Sequence, residues 1–133
     1  MSFDMYREII MDHFKNPRNF GELAKPDGTA QRDNPLCGDQ VKITYTLDTG
    51  KKRVADIKFS GTGCSLTRAG ASMLTEFVKG KTIAELKNYS DKEFLKDLTV
   101  PVMPARRKCV LLGWNTLHKA LESIPAADTP NKR

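Results

Sequence analysis

Three cysteines, Cys37, Cys64 and Cys109, each stand where a metal ion or sulfur chemistry would suit a thiol. Cys37 lies in Asn34-Pro35-Leu36-Cys37-Gly38-Asp39, Cys64 ends Gly61-Thr62-Gly63-Cys64, and Cys109 follows Arg106-Arg107-Lys108. An odd number of thiols beside glycine, proline and positive charge is a poor disulfide framework. It suits a three-thiolate cradle with Asp39 as candidate fourth ligand. A carboxylate among soft thiolates makes a mixed site, which Zn²⁺ tolerates. The thiolate is the form that binds metal and attacks sulfur, and a helix N-terminus favours it. The competing readings are ordinary core cysteines and a Cys–His hydrolase, which needs an imidazole beside the thiol. Only His13 and His118 are present. His13 falls on the apolar side of the first predicted helix and reads as a packed structural residue. His118 lies about two and a half turns beyond Cys109 on one predicted helix, roughly 13 Å by helix rise, which is too far to pair.

The elements that must position these groups follow from periodicity. Tyr6, Ile9, Ile10, His13 and Phe14 predict a helix from residue 3 to about 15, stopped by Asn16-Pro17. Gly21, Pro26 and Gly28 mark an irregular stretch. Val41, Ile43, Tyr45 and Leu47 alternate with polar residues, Asp48-Thr49-Gly50 supplies a turn, and Ala55, Ile57 and Phe59 alternate again. Two such strands form an antiparallel hairpin. The hairpin brings Cys37, just before its first strand, to the same end as Cys64, just after its second. If the chain is extended at 37–39, Cys37 and Asp39 share a face.

A helix follows, with Leu66, Gly70, Met73 and Phe77 on one stripe, Ser65 as N-cap and Gly80 as the stop. Thr82 with Glu85 and Ser90 with Glu93 match capping boxes of two short helices. The last helix runs from about Arg106 to Ser123 on Val110, Trp114, Leu117, Leu121 and Ile124, and Pro125 ends it. Arg106-Arg107-Lys108 opens that helix with the wrong sign for its dipole. Such a cluster attracts an anion or lowers the pKa of Cys109. Residues 1–125 read as one domain and 126–133 as a frayed tail.

The chain has 133 residues, 39% of them hydrophobic and 29% charged, with a formal charge of +6. That is enough for a real core. No run approaches the ~18 apolar residues of a membrane span, and the opening Met1-Ser2-Phe3-Asp4 lacks the apolar segment of a secretory signal. A cytoplasmic, thiol-reducing setting is expected. Positive charge is scattered, clustering only at Lys51-Lys52-Arg53 and Arg106-Arg107-Lys108. It does not interleave with aromatics as a single-strand stacking platform needs. On charge alone an acidic protein partner fits as well as nucleic acid, and neither nucleic acid nor membrane is among the expected partners.

The motifs Asn34-Pro-Leu-Cys-Gly-Asp39, Gly61-Thr-Gly-Cys64 and Pro104-Ala-Arg-Arg-Lys-Cys109 resemble the NifU/IscU/SufU family of iron–sulfur assembly proteins. Tyr6-Arg-Glu-Ile-Ile-Met-Asp-His-Phe-Lys-Asn-Pro-Arg-Asn-Phe-Gly21 is similar to that family's opening. The resemblance spans roughly residues 3–124. It implies a SufE/NifU-like α+β fold, a small antiparallel sheet with helices packed on one side, in which Cys37, Asp39, Cys64 and Cys109 surround one metal site. In the scaffold branch these positions receive iron and sulfide, build a labile [2Fe–2S] cluster transiently and pass it on, with Cys109 as the favoured sulfur acceptor. In the SufU branch they hold Zn²⁺, the metal expected in the resting or purified form, and Cys37 accepts a persulfide sulfur. Lys108 before the third cysteine and the run to Trp114 are similar to SufU. The short interval between Cys64 and Cys109 is similar to the scaffold branch. The implied partners are a cysteine desulfurase and recipient apoproteins or cluster carriers, with the chain a monomer or weak homo-oligomer. An assembly scaffold that is not itself an enzyme is the leading expectation. A zinc-dependent sulfurtransferase is the second, and a small zinc-stabilised binding module, in which metal serves only the fold, is the third.

Overall fold

The computed structural model describes residues 3–34, 38–98 and 102–122. Helix α1 (Phe3–Lys15) is followed by strands β1 (Gly28–Asn34), β2 (Asp39–Leu47) and β3 (Val54–Thr62). Helices α2 (Ser65–Val78), α3 (Ile83–Lys87) and α4 (Asp91–Asp97), a 3₁₀ turn (Pro104–Arg106) and helix α5 (Arg107–Leu121) complete the order. The sheet is an antiparallel meander, β1-β2-β3. Helix α5 packs on β1 and β2, α2 packs on β3 and on α5, and α1 packs on α2. This is the expected α+β arrangement. No helix of the described residues is long and apolar enough to cross a membrane.

The core lies between the sheet and the α2/α5 layer. Val41, Ile43, Tyr45, Ile57 and Phe59 face Ala69, Leu74, Val78, Val110, Leu117 and Leu121, all buried. Each large aliphatic or aromatic side chain so enclosed contributes about 1.5–3 kcal/mol of transfer free energy. Gly70 and Gly113 let α2 and α5 approach closely. A Cβ at Gly70 would sit 2.9 Å from the Val110 carbonyl oxygen, and one at Gly113 3.2 Å from Ala71 Cα. Both expected capping boxes form, Thr82 with Glu85 and Ser90 with Glu93.

Four expectations are corrected. The sheet has a third strand where an irregular stretch was expected. Strand β1, Gly-Thr-Ala-Gln-Arg-Asp-Asn, lies at the sheet edge and offers only Ala30 to the apolar side, so it carries no hydrophobic alternation. Ala55 is exposed rather than inward, because a bulge opposite Thr46/Leu47 makes Val54 the buried residue. The N-cap of α2 is Cys64, not Ser65. Cys64 has the extended cap backbone (φ −72°, ψ 172°), and its carbonyl accepts the first helical bond from Arg68 N–H at 3.1 Å. Finally, the backbone at Gly38 is turned rather than extended. Gly38 has φ +74°, and its N–H donates to the Asn34 carbonyl at 2.8 Å. The side chain of Tyr6, and all of residues 123–133 with Ile124, Pro125 and the expected tail, lie outside the described residues.

Candidate metal centre

Three separate segments meet at one end of the sheet. Asp39 opens β2 and pairs with Asn34 of β1, while its neighbour Gln40 pairs with Thr62 at the end of β3. Two residues beyond Thr62 the chain reaches Cys64, the N-cap of α2. Cys109 is the third residue of α5, entered through the Pro104–Arg106 turn. One carboxylate oxygen of Asp39 and the sulfurs of Cys64 and Cys109 all lie within 4.8 Å of one another. Asp39 is 4% and Cys109 5% exposed, and Cys64 is half-buried. A shallow depression lined by Asp33, Asn34, Gly38, Asp39, Gln40 and Thr62 borders the carboxylate. Cys37, the fourth expected member, lies outside the described residues.

The local chemistry favours thiolate at Cys64. Burial opposes ionisation. The Thr67 hydroxyl, the backbone N–H groups of Thr67 and Leu66, and Cys109 outweigh it, and the pKa falls below the ordinary thiol value. These N–H groups are the unpaired donors of the first turn of α2. The Thr67 hydroxyl lies between two acceptors, 2.6 Å from Asp39 Oδ2 and 3.4 Å from Cys64 Sγ, and its single proton serves one of them at a time. Thr67 is not among the residues singled out by spacing. Its signal is positional: it stands three residues after the N-cap, where a side chain faces back over the cap.

The donor set fits a metal ion. Bonds of ~2.3 Å to sulfur and ~2.0–2.2 Å to oxygen place tetrahedral zinc ligands roughly 3.5–3.8 Å apart. Asp39, Cys64 and Cys109 need close in by only about an ångström to meet that spacing.

Other candidates fall elsewhere. His13 is a structural residue: its Nδ1 shares a 2.8 Å hydrogen bond with Ser72 Oγ, which also accepts the Arg18 N–H at 2.9 Å. His118 stacks on Trp114, with ring centroids 4.1 Å apart. Arg106, Arg107 and Lys108 are exposed and form no ion pair among the described residues. Arg106 lines a groove with Arg7, Ile10, Met11, Ser65, Leu66 and Met103, the last 70% exposed. Arg68 anchors the end of α1: its Nε donates to the Phe14 carbonyl at 3.2 Å, and its guanidinium lies 4.6 Å from the Phe20 ring centroid.

Comparison with known proteins places the chain in a family. The family model described as NifU-like N terminal domain matches residues 5–129. The chain is 40% identical to the zinc-dependent sulfurtransferase SufU of Bacillus subtilis, an alignment covering 88% of this chain and 89% of that one. It is 39% identical to the iron–sulfur cluster assembly scaffold protein IscU of Aquifex aeolicus, over 92% of this chain and 76% of the relative. The solved structure of a nitrogen-fixing NifU-like protein (N-terminal) from Brucella abortus superposes with a TM-score of 0.72 at 25% identity, covering 91% of this chain and 94% of that one.

Proposed function

The chain belongs to the NifU-like N-terminal domain family, and from that premise we propose that it is an iron–sulfur cluster assembly scaffold. It receives sulfur from a cysteine desulfurase, iron, and two electrons per sulfur from an external reductant that turns persulfide sulfur into sulfide, assembles a labile [2Fe–2S] cluster as cargo, and passes it to apoproteins or cluster carriers. The observation that carries this reading is the meeting of Asp39, Cys64 and Cys109 within 4.8 Å. Cys37 completes the set as a fourth ligand. Residues 1–125 form the functional domain, a monomer or weak homo-oligomer working in a thiol-reducing cytoplasm.

The residues divide the work. Cys64 and Cys109 supply thiolates, and the helix N-terminus at Cys64 stabilises its ionised form. Asp39 is the hard, exchangeable ligand, which lets cargo leave a site that a fourth thiolate would hold more firmly. Sulfur arrives by thiol exchange. An acceptor thiolate, Cys109 in this reading, attacks the terminal sulfur of the desulfurase persulfide, the S–S bond breaks, and the desulfurase thiolate leaves.

A second reading has a specific observation behind it, the 40% identity to a zinc-dependent sulfurtransferase. There the same groups hold Zn²⁺ and Cys37 accepts the persulfide, with no cluster formed. Bound zinc would supply a fixed charge that keeps its ligand thiols deprotonated.

Anaerobic reconstitution with ferrous iron, cysteine, a desulfurase and a dithiol reductant, which supplies the electrons that turn persulfide sulfur into sulfide, separates the two. A visible-absorbing cluster that transfers to an apo-ferredoxin supports the scaffold. A large rise in desulfurase turnover with no cluster supports the relay and overturns the scaffold. Neither outcome, with unfolding on removal of Zn²⁺, leaves a zinc-stabilised binding module.

A further inference from the structure

Thr67 lies in the same pocket as the candidate ligands and is none of them. The residue is 1% exposed, and its hydroxyl touches two of the three, Asp39 Oδ2 at 2.6 Å and Cys64 Sγ at 3.4 Å. The space for this contact is provided by Gly63. A Cβ there would sit 2.9 Å from Thr67 Cγ2, 3.0 Å from Thr67 Cβ and 3.1 Å from Asp39 Oδ1. Asp39, itself 4% exposed, is thus held by a buried neutral donor on one oxygen.

We propose that Thr67 is the positioning residue of the metal site, its hydroxyl holding Oδ2 of Asp39 and so fixing the orientation in which the carboxylate is offered to the metal. This inference rests on the reading that Asp39, Cys64 and Cys109 hold a metal ion. A carboxylate tied at one oxygen keeps a fixed orientation, whereas an untethered carboxylate rotates. The hydroxyl has one proton and two acceptors within reach, the carboxylate and a Cys64 thiolate. Thr67 therefore couples the oxygen ligand to the sulfur ligand: a proton turned toward sulfur releases the carboxylate. Outer hydrogen bonds of this kind typically carry about 10–100-fold in metal affinity.

The test compares Zn²⁺ affinity of the full chain and its Thr67→Val, Thr67→Ala and Thr67→Ser variants by competition with a chromophoric chelator. Co²⁺ absorption reports the ligand geometry, and thermal melting of the metal-free proteins reports the fold. Thr67→Val is expected to lose about 10–100-fold in affinity and to change the Co²⁺ spectrum, while Thr67→Ser, which keeps the hydroxyl, retains both. Thr67→Ala repeats the reading should the valine variant fail to fold. Unchanged affinity in the folded valine or alanine variant overturns the inference while leaving the site reading intact. Equal loss in the serine and valine variants overturns it too, by pointing to packing of the methyl group. A parent chain that binds neither Zn²⁺ nor Co²⁺ overturns the site reading and this inference with it.

Discussion

Gly61 is the residue on which the convergence of the site segments most depends, and alanine is the smallest perturbation of it. Its φ of +135° is one that side-chain-bearing residues rarely adopt, a strain of about 1–3 kcal/mol. A Cβ there would also fall on the carbonyl oxygen of Gln40 and lie 2.9 Å from its carbonyl carbon and 3.1 Å from Val41 Cα. These are backbone atoms of the neighbouring strand and cannot rotate aside. Relief requires β2 and β3 to part where Val41 pairs with Gly61 and Gln40 with Thr62, losing one or two ladder hydrogen bonds at about 1 kcal/mol each. The total is about 2–5 kcal/mol.

Gly80 is the internal control. It has φ +90°, and a Cβ added there would meet nothing within 4 Å, so Gly80→Ala carries strain alone, about 1–3 kcal/mol. Urea unfolding of the metal-free proteins measures both. Gly61→Ala should be less stable than Gly80→Ala by about 1–2 kcal/mol, the ladder hydrogen bonds it loses. Equal losses would refute the close approach of β2 and β3 at this end, and with it the placing of Asp39 beside the segment that leads to Cys64.

Three further outcomes are expected. Burial holds the pKa of both His13 and His118 below the ordinary imidazole value, with the Arg18 charge adding to the effect at His13. The folded state therefore binds their protons less readily than the unfolded chain. Their contribution is complete above pH ~6.5 and is lost as pH falls below it. The melting temperature of metal-free protein should drop between pH 7 and 5, a flat profile there being the contrary result. Asp12, Asp27, Asp48 and Glu85, held low chiefly by hydrogen bonds to their carboxylates, act in a separate window, near and below pH ~4. Asp39→Ala should slow release of cluster or metal to an acceptor, and unchanged transfer kinetics would remove the exchangeable-ligand role. Ser90→Ala removes the cap hydroxyl that accepts the Glu93 N–H at 3.1 Å and should cost about 1 kcal/mol in denaturant unfolding, with metal affinity untouched.

The parts of the fold legible in the sequence are those whose pattern reports their own burial. The period-two run Val41-Ile43-Tyr45, the helical stripes of α2 and α5 and the two capping boxes all state locally what the tertiary structure needs. Strand β1 does not. It is an edge strand, and its pairing is dictated by β2 rather than by its own composition. Ala55 and Val54 exchange roles through a bulge, which alternation cannot reveal because it depends on the partner strand.

The site divides in the same way. The hairpin argument brings Cys37 and Cys64 to one end, with Asp39 entering as a neighbour of Cys37, and proximity to a helix start marks Cys109. The Thr67–Asp39 hydrogen bond links residues far apart in the chain and becomes visible only in three dimensions. Gly70 and Arg68 likewise acquire their reasons there, one in the α2–α5 contact and the other under the end of α1.

X-ray absorption at the metal edge of chain purified without chelators, with elemental analysis of the same sample, bears most directly on the central claim. About one metal ion per chain is expected, in a mixed shell of sulfur at ~2.3 Å and one oxygen at ~2.0–2.2 Å. That oxygen should vanish from the shell in Asp39→Ala. A sample without bound metal, or a shell of light atoms alone, would contradict the assignment of Asp39, Cys64 and Cys109 to one metal centre.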